Sequence, residues 1–310
     1  MADRALPTKD DVERARATIG TRLQRTPLLS NSTLDARLKC ELFQRTGSFK
    51  VRGALNKLSM LTDEEKARGV IAISAGNHAQ AVAYSAAQEN VDALVVMWQG
   101  ASEQKITATR AYGAAVDLEA SNPSEAFDRL HSLVAETGRT MIHPFDDPAV
   151  IAGAGTVGLE IEEDAPGVDL IIVPVGGGGL ISGIQTVFRD TSVRVAAVEP
   201  ETSQALHAAI EHGAPTPVNP TSIADGLNAP FAGALPLEIC RDLESVLVTE
   251  DEIRDAFRFV YARTKLACEP AAAAAVAAWL TGKLEAEHPV ILISGGNVAT
   301  ETVAAILAGR

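Results

Sequence analysis

The sequence offers few of the residues that form covalent or metal frameworks. Its only cysteines are Cys40, Cys240 and Cys268. Odd in number, far apart and not at metal-ligand spacing, they exclude a disulfide scaffold and a cysteine zinc site and fit a reducing, cytoplasmic setting. Basic charge is also short: 27 Lys and Arg stand against 40 Asp and Glu, for a net charge of −13. That balance argues against nucleic acid or an anionic membrane as the main partner, so any anionic ligand must be held by local groups. No apolar run is long and uninterrupted enough to span a bilayer, and residues 1–20 are charged and helix-like, without an apolar leader core. No internal repeat is visible. The single low-complexity tract is the alanine run 271–275 after Glu269-Pro270, which reads as the first turns of a tightly packed helix. No linker divides the chain cleanly, so a second domain is expected as an insertion rather than a tail.

What is present suits an ordinary globular protein. A hydrophobic content of 46% over 310 residues supports a sizeable core and about two domains. Short β-branched runs at 70–73, 93–97, 114–118, 170–175, 194–198 and 290–293 each precede a helical pattern or a turn leading to one. This alternation predicts an α/β fold of mostly parallel sheets with helices on both faces. The loop 213–222, with three prolines, is expected to cross the surface between a helix and the segment 223–228.

Four segments place small and polar residues directly after apolar runs or at helix starts, where open parallel sheets bind ligands. The first is Val175-Gly176-Gly177-Gly178-Gly179-Leu180. Successive glycines let backbone N–H groups converge on a helix start, a combination suited to phosphate. The plain alternative, a permissive turn, does not need four glycines and their entropy cost. A dinucleotide site is the rival, but the spaced G-x-G-x-x-G pattern is absent and only Glu199 could act as the following acid.

The second is Thr46-Gly47-Ser48-Phe49-Lys50-Val51-Arg52-Gly53-Ala54. A lysine beside an aromatic ring at a helix start is deprotonated more easily and can form a Schiff base, although most lysines are solvated surface charges. The third is Ser74-Ala75-Gly76-Asn77-His78-Ala79-Gln80, whose N–H groups, Ser74 hydroxyl and Asn77 amide suit a substrate carboxylate. His78 is either a general base or a helix-packing residue, and no carboxylate partner stands near it in sequence. The fourth is Ile293-Ser294-Gly295-Gly296-Asn297, where a serine hydroxyl can face a ring nitrogen without bringing charge, or simply sit in a turn.

In this order and spacing the four segments resemble the threonine dehydratase and serine racemase branch of the fold-type II pyridoxal-phosphate enzymes, from Thr26-Pro27-Leu28 to Gly296. The resemblance implies pyridoxal 5'-phosphate as cofactor, with Lys50 as its Schiff-base lysine and Phe49 packed on its ring. Asn77 would bond the ring hydroxyl, Gly176, Gly177, Gly178 and Gly179 would cradle the phosphate, and Ser294 would face the pyridine nitrogen. Ser74, Ala75, Gly76, Asn77 and His78 would form the substrate-carboxylate loop. It further implies a small domain over 42–143 inserted in a large one made of 1–41 and 144–310, and a homodimer or homotetramer.

The activity implied is elimination of water and ammonia from a small-molecule hydroxy-amino acid, L-threonine or L-serine, to give a 2-oxo acid. The freed Lys50 would take the Cα proton, and a neutral partner at the pyridine nitrogen would favour prompt loss of the β-hydroxyl. Racemases of this branch carry a second serine where this chain has Ala75, which makes racemisation inefficient. Their divalent-cation site pairs a glutamate with an aspartate; Glu199 is present, but Ala205 stands at the other position, so either no cation or a weakly bound one is expected. No room follows Arg310 for a regulatory domain, so end-product inhibition is not expected. Phe145 resembles the dehydratases and leans toward threonine. Trp98, in place of the usual proline, either covers a strand end or lines the pocket, and lining it would admit phenylserine. A dicarboxylic substrate such as 3-hydroxyaspartate would need a spare cation, which Arg45, Arg52 or Arg129 would have to supply. A serine racemase, a β-replacing synthase and a catalytically silent ligand-binding protein remain as alternatives.

Overall fold

A computed structural model describes residues 5–309. After α1 (Lys9–Ile19) the chain forms a hairpin of β1 (Leu28–Asn31) and β2 (Ala36–Cys40), then α2 (Lys50–Ser59) and α3 (Asp63–Arg68). Next come β3 (Val70–Ile73), α4 (Asn77–Glu89), β4 (Ala93–Trp98), α5 (Glu103–Ala111), β5 (Ala115–Ala120), α6 (Pro123–Thr137) and β6 (Thr140–Met141). α7 (Pro148–Asp164) leads into β7 (Leu170–Pro174), α8 (Gly179–Phe188), β8 (Arg194–Pro200), α9 (Ala205–His212) and α10 (Ala234–Cys240). β9 (Glu244–Val248), α11 (Glu250–Phe259), α12 (Pro270–Leu280), β10 (Pro289–Ile293) and α13 (Thr300–Leu307) complete the order.

Two sheets result, one of six strands in the order β1-β2-β10-β7-β8-β9 and one of four in the order β5-β4-β3-β6. Every pairing is parallel except the β1–β2 hairpin. The α/β fold with mostly parallel sheets is therefore as expected. β7 and β10, Leu-Ile-Ile-Val-Pro and Pro-Val-Ile-Leu-Ile, are buried at every position, as central strands covered on both faces must be. α12 contributes nine consecutive buried residues, Pro270 to Ala278, and its alanines let the helix lie close against the strands. In the smaller sheet, Val95 and Met97 join the cluster that holds Val51, Ala54 and Leu58 of α2, whereas Val96 joins the cluster of Leu130 and Leu133 from α6. That is the two-residue alternation of a strand with a helix on each side.

The strands missing from the sequence expectation are β1, β2, β6 and β9. β1 and β9 are edge strands, half exposed, and β6 has two residues. β2 reads Ala-Arg-Leu-Lys-Cys, and its Lys39 is fully buried, against the usual preference of lysine for the surface. Among the described residues, no helix is long and apolar enough to cross a membrane.

Candidate active site

The segment before α2 cannot continue as strand or helix, because Thr46 (φ 61°) and Gly47 (φ 72°) both turn left-handed. This reversal lays residues 46–50 beside the turn that follows β10. Phe49 N donates to the Ser294 carbonyl at 3.1 Å and Gly296 N to the Gly47 carbonyl at 3.0 Å, while Ser48 and Gly295 form a bridge. The second and fourth sequence segments thus become neighbours. Lys50 opens α2, with its Nζ 5.2 Å from the centre of the Phe49 ring and donating to the Pro144 carbonyl at 3.0 Å. Burial pulls its pKa down to about 8, against the attraction of Glu269, so a useful fraction of the amine is neutral near pH 7.5.

Pro144 connects the lysine to the glycine turn, since the next residue, Phe145, lies against it. A methyl group added at Gly177 would sit 2.2 Å from Phe145 Cδ1. Gly178 has φ 95° and directly precedes α8, a backbone that side-chain-bearing residues resist. The N–H groups of Gly176, Gly177 and Gly178 have no acceptor among the described residues. Free amides at a helix start form a cradle for an anion, so the turn fits the phosphate of a cofactor.

The third segment lies where β3 gives way to α4. The Ser74 hydroxyl accepts from Gly76 N at 3.0 Å, and α4 begins at Asn77. His78 turns away from chemistry: its Nε2 donates to the Ile142 carbonyl at 2.9 Å, and burial lowers its pKa to about 3. The ring is neutral and packs the helix, with only its backbone left for a carboxylate. Ser294 is 4% exposed, and among the described residues nothing engages its hydroxyl.

One residue of the site escaped the sequence reading. Glu269, 3% exposed, accepts from Asn77 Nδ2 at both oxygens, at 2.9 and 3.0 Å, and its backbone N–H reaches the Gly295 carbonyl. Burial raises its pKa to about 7, against the Asn77 hydrogen bond. Asn297 Nδ2 completes the group by donating to Asn77 Oδ1 at 2.8 Å and to the Thr46 carbonyl at 2.7 Å. Asn77 Nδ2 thus aims one amide proton between the two Glu269 oxygens, and a ring hydroxyl at this position would compete with Glu269 for Asn77. An acid directly before nine buried residues was the available signal, since it cannot readily stay in solvent.

The structure also places the remaining candidates. Glu199 is fully buried on β8, and its oxygens accept from Leu206 N at 2.8 Å and His207 N at 2.7 Å. It thus caps α9, while burial raises its pKa to about 8. Among the described residues no group of three His, Cys, Asp or Glu side chains could hold a metal ion. Trp98 packs into the α6 cluster, covering a strand end on the sheet face opposite α2. Arg52 is bound to Glu41 and Glu160, Arg129 to Asp117 and Glu119, and Arg45 is exposed. Phe231, not singled out in the sequence, stands edge-on to Phe145 at 5.8 Å.

A family model described as "Pyridoxal-phosphate dependent enzyme" matches residues 16–296. The chain is 43% identical to the catabolic L-threonine dehydratase TdcB of Escherichia coli (strain K12), covering 96% of this chain and 95% of that one. Among solved structures, the serine racemase of Dictyostelium discoideum superimposes with a TM-score of 0.89 at 36% identity, over 95% of this chain and all of that one. The processed form of a threonine deaminase isoform from Solanum lycopersicum also gives 0.89, at 32% identity, over 98% of this chain and 95% of that one. With a lysine, free glycine amides and an unengaged serine set by turns of two mostly parallel sheets, this chain belongs to the pyridoxal-phosphate-dependent enzymes of fold type II.

Proposed function

We propose that this chain is an ammonia-lyase that converts L-threonine, L-serine or both to the corresponding 2-oxo acid and ammonia. The observation that carries the reading is the Lys50 amine, held on the Pro144 carbonyl, with its pKa drawn down to about 8 and Phe145 of the next residue lying on the glycine turn. Gly176, Gly177, Gly178 and Gly179 would hold the cofactor phosphate through their N–H groups, Phe49 and Ser294 would border the ring, and Lys50 would anchor it. When bound, pyridoxal phosphate supplies an electron sink for charge developing at the substrate Cα. Lys50 Nζ, once the substrate amine has displaced it from the cofactor, would be a neutral amine placed to take the Cα proton. Ser74 and the backbone N–H groups of Ala75, Asn77 and His78 orient the substrate carboxylate at the start of α4. The β-hydroxyl leaves as water, and a water consumed in the final hydrolysis releases ammonia.

Several observations support elimination over racemisation. The position after Ser74 is Ala75, with no proton to exchange on the second face of Cα, and the His78 ring is tied to Ile142. Arg52 and Arg129 are committed to carboxylates of the protein, which disfavours a dicarboxylic substrate. Trp98 on the α6 face removes the reason to expect phenylserine. The reading includes a small domain over 42–143, whose range contains the whole four-stranded sheet, inserted in a large domain of 1–41 and 144–310. It also includes a homodimer or homotetramer in the cytoplasm. The test is a 2-oxo acid assay with L-threonine, L-serine, D-serine, 3-hydroxyaspartate and phenylserine, run beside Lys50→Ala. Turnover by a colourless Lys50→Ala protein would overturn the proposal.

A further inference from the structure

Two residues beyond Lys50, Arg52 runs into the interior and is 2% exposed. A helix turns about 100° per residue, so Arg52 leaves α2 on roughly the opposite side from Lys50. Each of its five N–H donors has an acceptor. Nε and Nη2 reach the two oxygens of Glu41 at 2.8 Å each, Nη1 and Nη2 reach those of Glu160 at 2.7 and 3.0 Å, and Nη1 reaches the Thr156 hydroxyl at 3.1 Å. Glu160 also takes Lys39 Nζ at 2.6 Å. The guanidinium is saturated, and two buried cations balance two buried carboxylates.

Such a cluster is a poor source of stability, because apolar residues of the same volume commonly fold as well. What it imposes is geometry. Glu41 follows β2, while Thr156 and Glu160 belong to α7, so the cluster fixes α2 against both. The helices are also in close contact: a methyl group at Gly153 would lie 2.4 Å from the Arg52 carbonyl, and Asn56 Nδ2 donates to the Ala149 carbonyl at 2.8 Å. α2 cannot roll about its axis without breaking the fork on Glu41 and Glu160. Helical side chains reach roughly 5–6 Å from the axis, so a roll of about 20° would carry the tip of Lys50 about 2 Å away. A displacement of that size would end its 3.0 Å contact with Pro144.

We propose that Arg52, through Glu41 and Glu160, is a positioning residue that sets the roll of α2 and so holds Lys50 Nζ at the Pro144 carbonyl. The inference rests on the proposed role of Lys50, and its test separates the two. Arg52→Lys keeps the charge and loses the fork. In the holoenzyme, kcat should fall about 100-fold or more, since about 1 Å of misplacement alone can cost that much, while KM for L-threonine stays within about threefold and the far-ultraviolet circular dichroism is unchanged. In the full chain stripped of cofactor, the pH midpoint for acylation of Lys50, followed by peptide mass spectrometry, should rise from near 8 toward that of an ordinary lysine. A folded Arg52→Lys protein with an unmoved midpoint and kcat within twofold of wild type overturns the inference and leaves the lyase reading intact. Turnover by Lys50→Ala overturns the lyase reading itself. Should Arg52→Lys fail to fold, Glu160→Gln, which keeps shape and removes one charge, takes the same two measurements with the same criteria.

Discussion

Gly177→Ala isolates a single steric contact, because its φ is not among the left-handed ones. The new methyl group would meet three atoms of the Phe145 ring at 2.2–2.4 Å, closer than carbon atoms approach without displacement. The ring has little space to yield: it is 7% exposed and edge-on to His143 at 4.7 Å and Phe231 at 5.8 Å. Overpacking of this kind costs about 1–3 kcal/mol. At about 2 °C per kcal/mol for a chain of this size, the apoprotein should lose ~2–6 °C in Tm. Phe145→Ala alone should cost about 3–5 kcal/mol through the cavity it leaves. In the double variant the methyl group enters that cavity, so the two losses should fall short of additivity by about 1–2 kcal/mol, well beyond the ~0.5 kcal/mol scatter of independent sites. Denaturant titration of the four proteins measures the coupling. Strict additivity would mean that Phe145 does not lie on the glycine turn, and the path from that turn through Pro144 to Lys50 would lose its support.

Three further outcomes follow from the site. On the proposed role of Lys50, cofactor uptake by the apoprotein needs its neutral amine, and a pKa of about 8 leaves about a quarter of it neutral at pH 7.5, against ~0.1% for an unperturbed lysine; the uptake rate followed by absorbance should be half-maximal near pH 8 and level off above about pH 9, and a midpoint near 10 would refute the burial. For Glu269, whose pKa is raised to about 7 from an ordinary value of 4.5, the native state binds the extra proton, so stability falls as pH climbs through that interval. Glu269→Gln removes this fall, and its Tm relative to wild type should be more favourable at about pH 8 than at about pH 5; a difference independent of pH would count against a titrating Glu269. Trp98→Phe should lower Tm slightly and leave the ranking of amino-acid substrates unchanged, whereas a changed ranking would place Trp98 in the pocket.

The parts of the site legible in the sequence were those with local signatures. Lys50, Asn77 and the glycines at 176–179 open helices after turns or strands, and their backbone chemistry is set by near neighbours. The contact of Glu269 with Asn77 was illegible for the converse reason, although its place before an apolar helix hinted at its burial. Its partner Asn77 is 192 residues away and Asn297 stands 220 from Asn77, so no periodicity or spacing records the contact. Arg52 and Lys39 carry charges that ordinarily lie at the surface, and their burial follows only from Glu41 and Glu160 arriving from other elements. The fold class was legible because central strands such as β7 and β10 are apolar throughout. The hairpin and β9 were not, because edge strands retain polar faces.

The seam between residues 46–50 and 294–297 carries a consequence for how the protein is made. Asn297 closes onto Thr46 across 251 residues of chain, and β10, which leads into that turn, is an interior strand between β2 and β7. At about 5–20 residues per second, a ribosome takes roughly 10–50 s to travel between the two halves. During that interval the nascent chain carries its lysine as an ordinary amine, without the turn that later encloses it. On the proposed role of Lys50, acquisition of the cofactor is thereby tied to completion of the larger sheet.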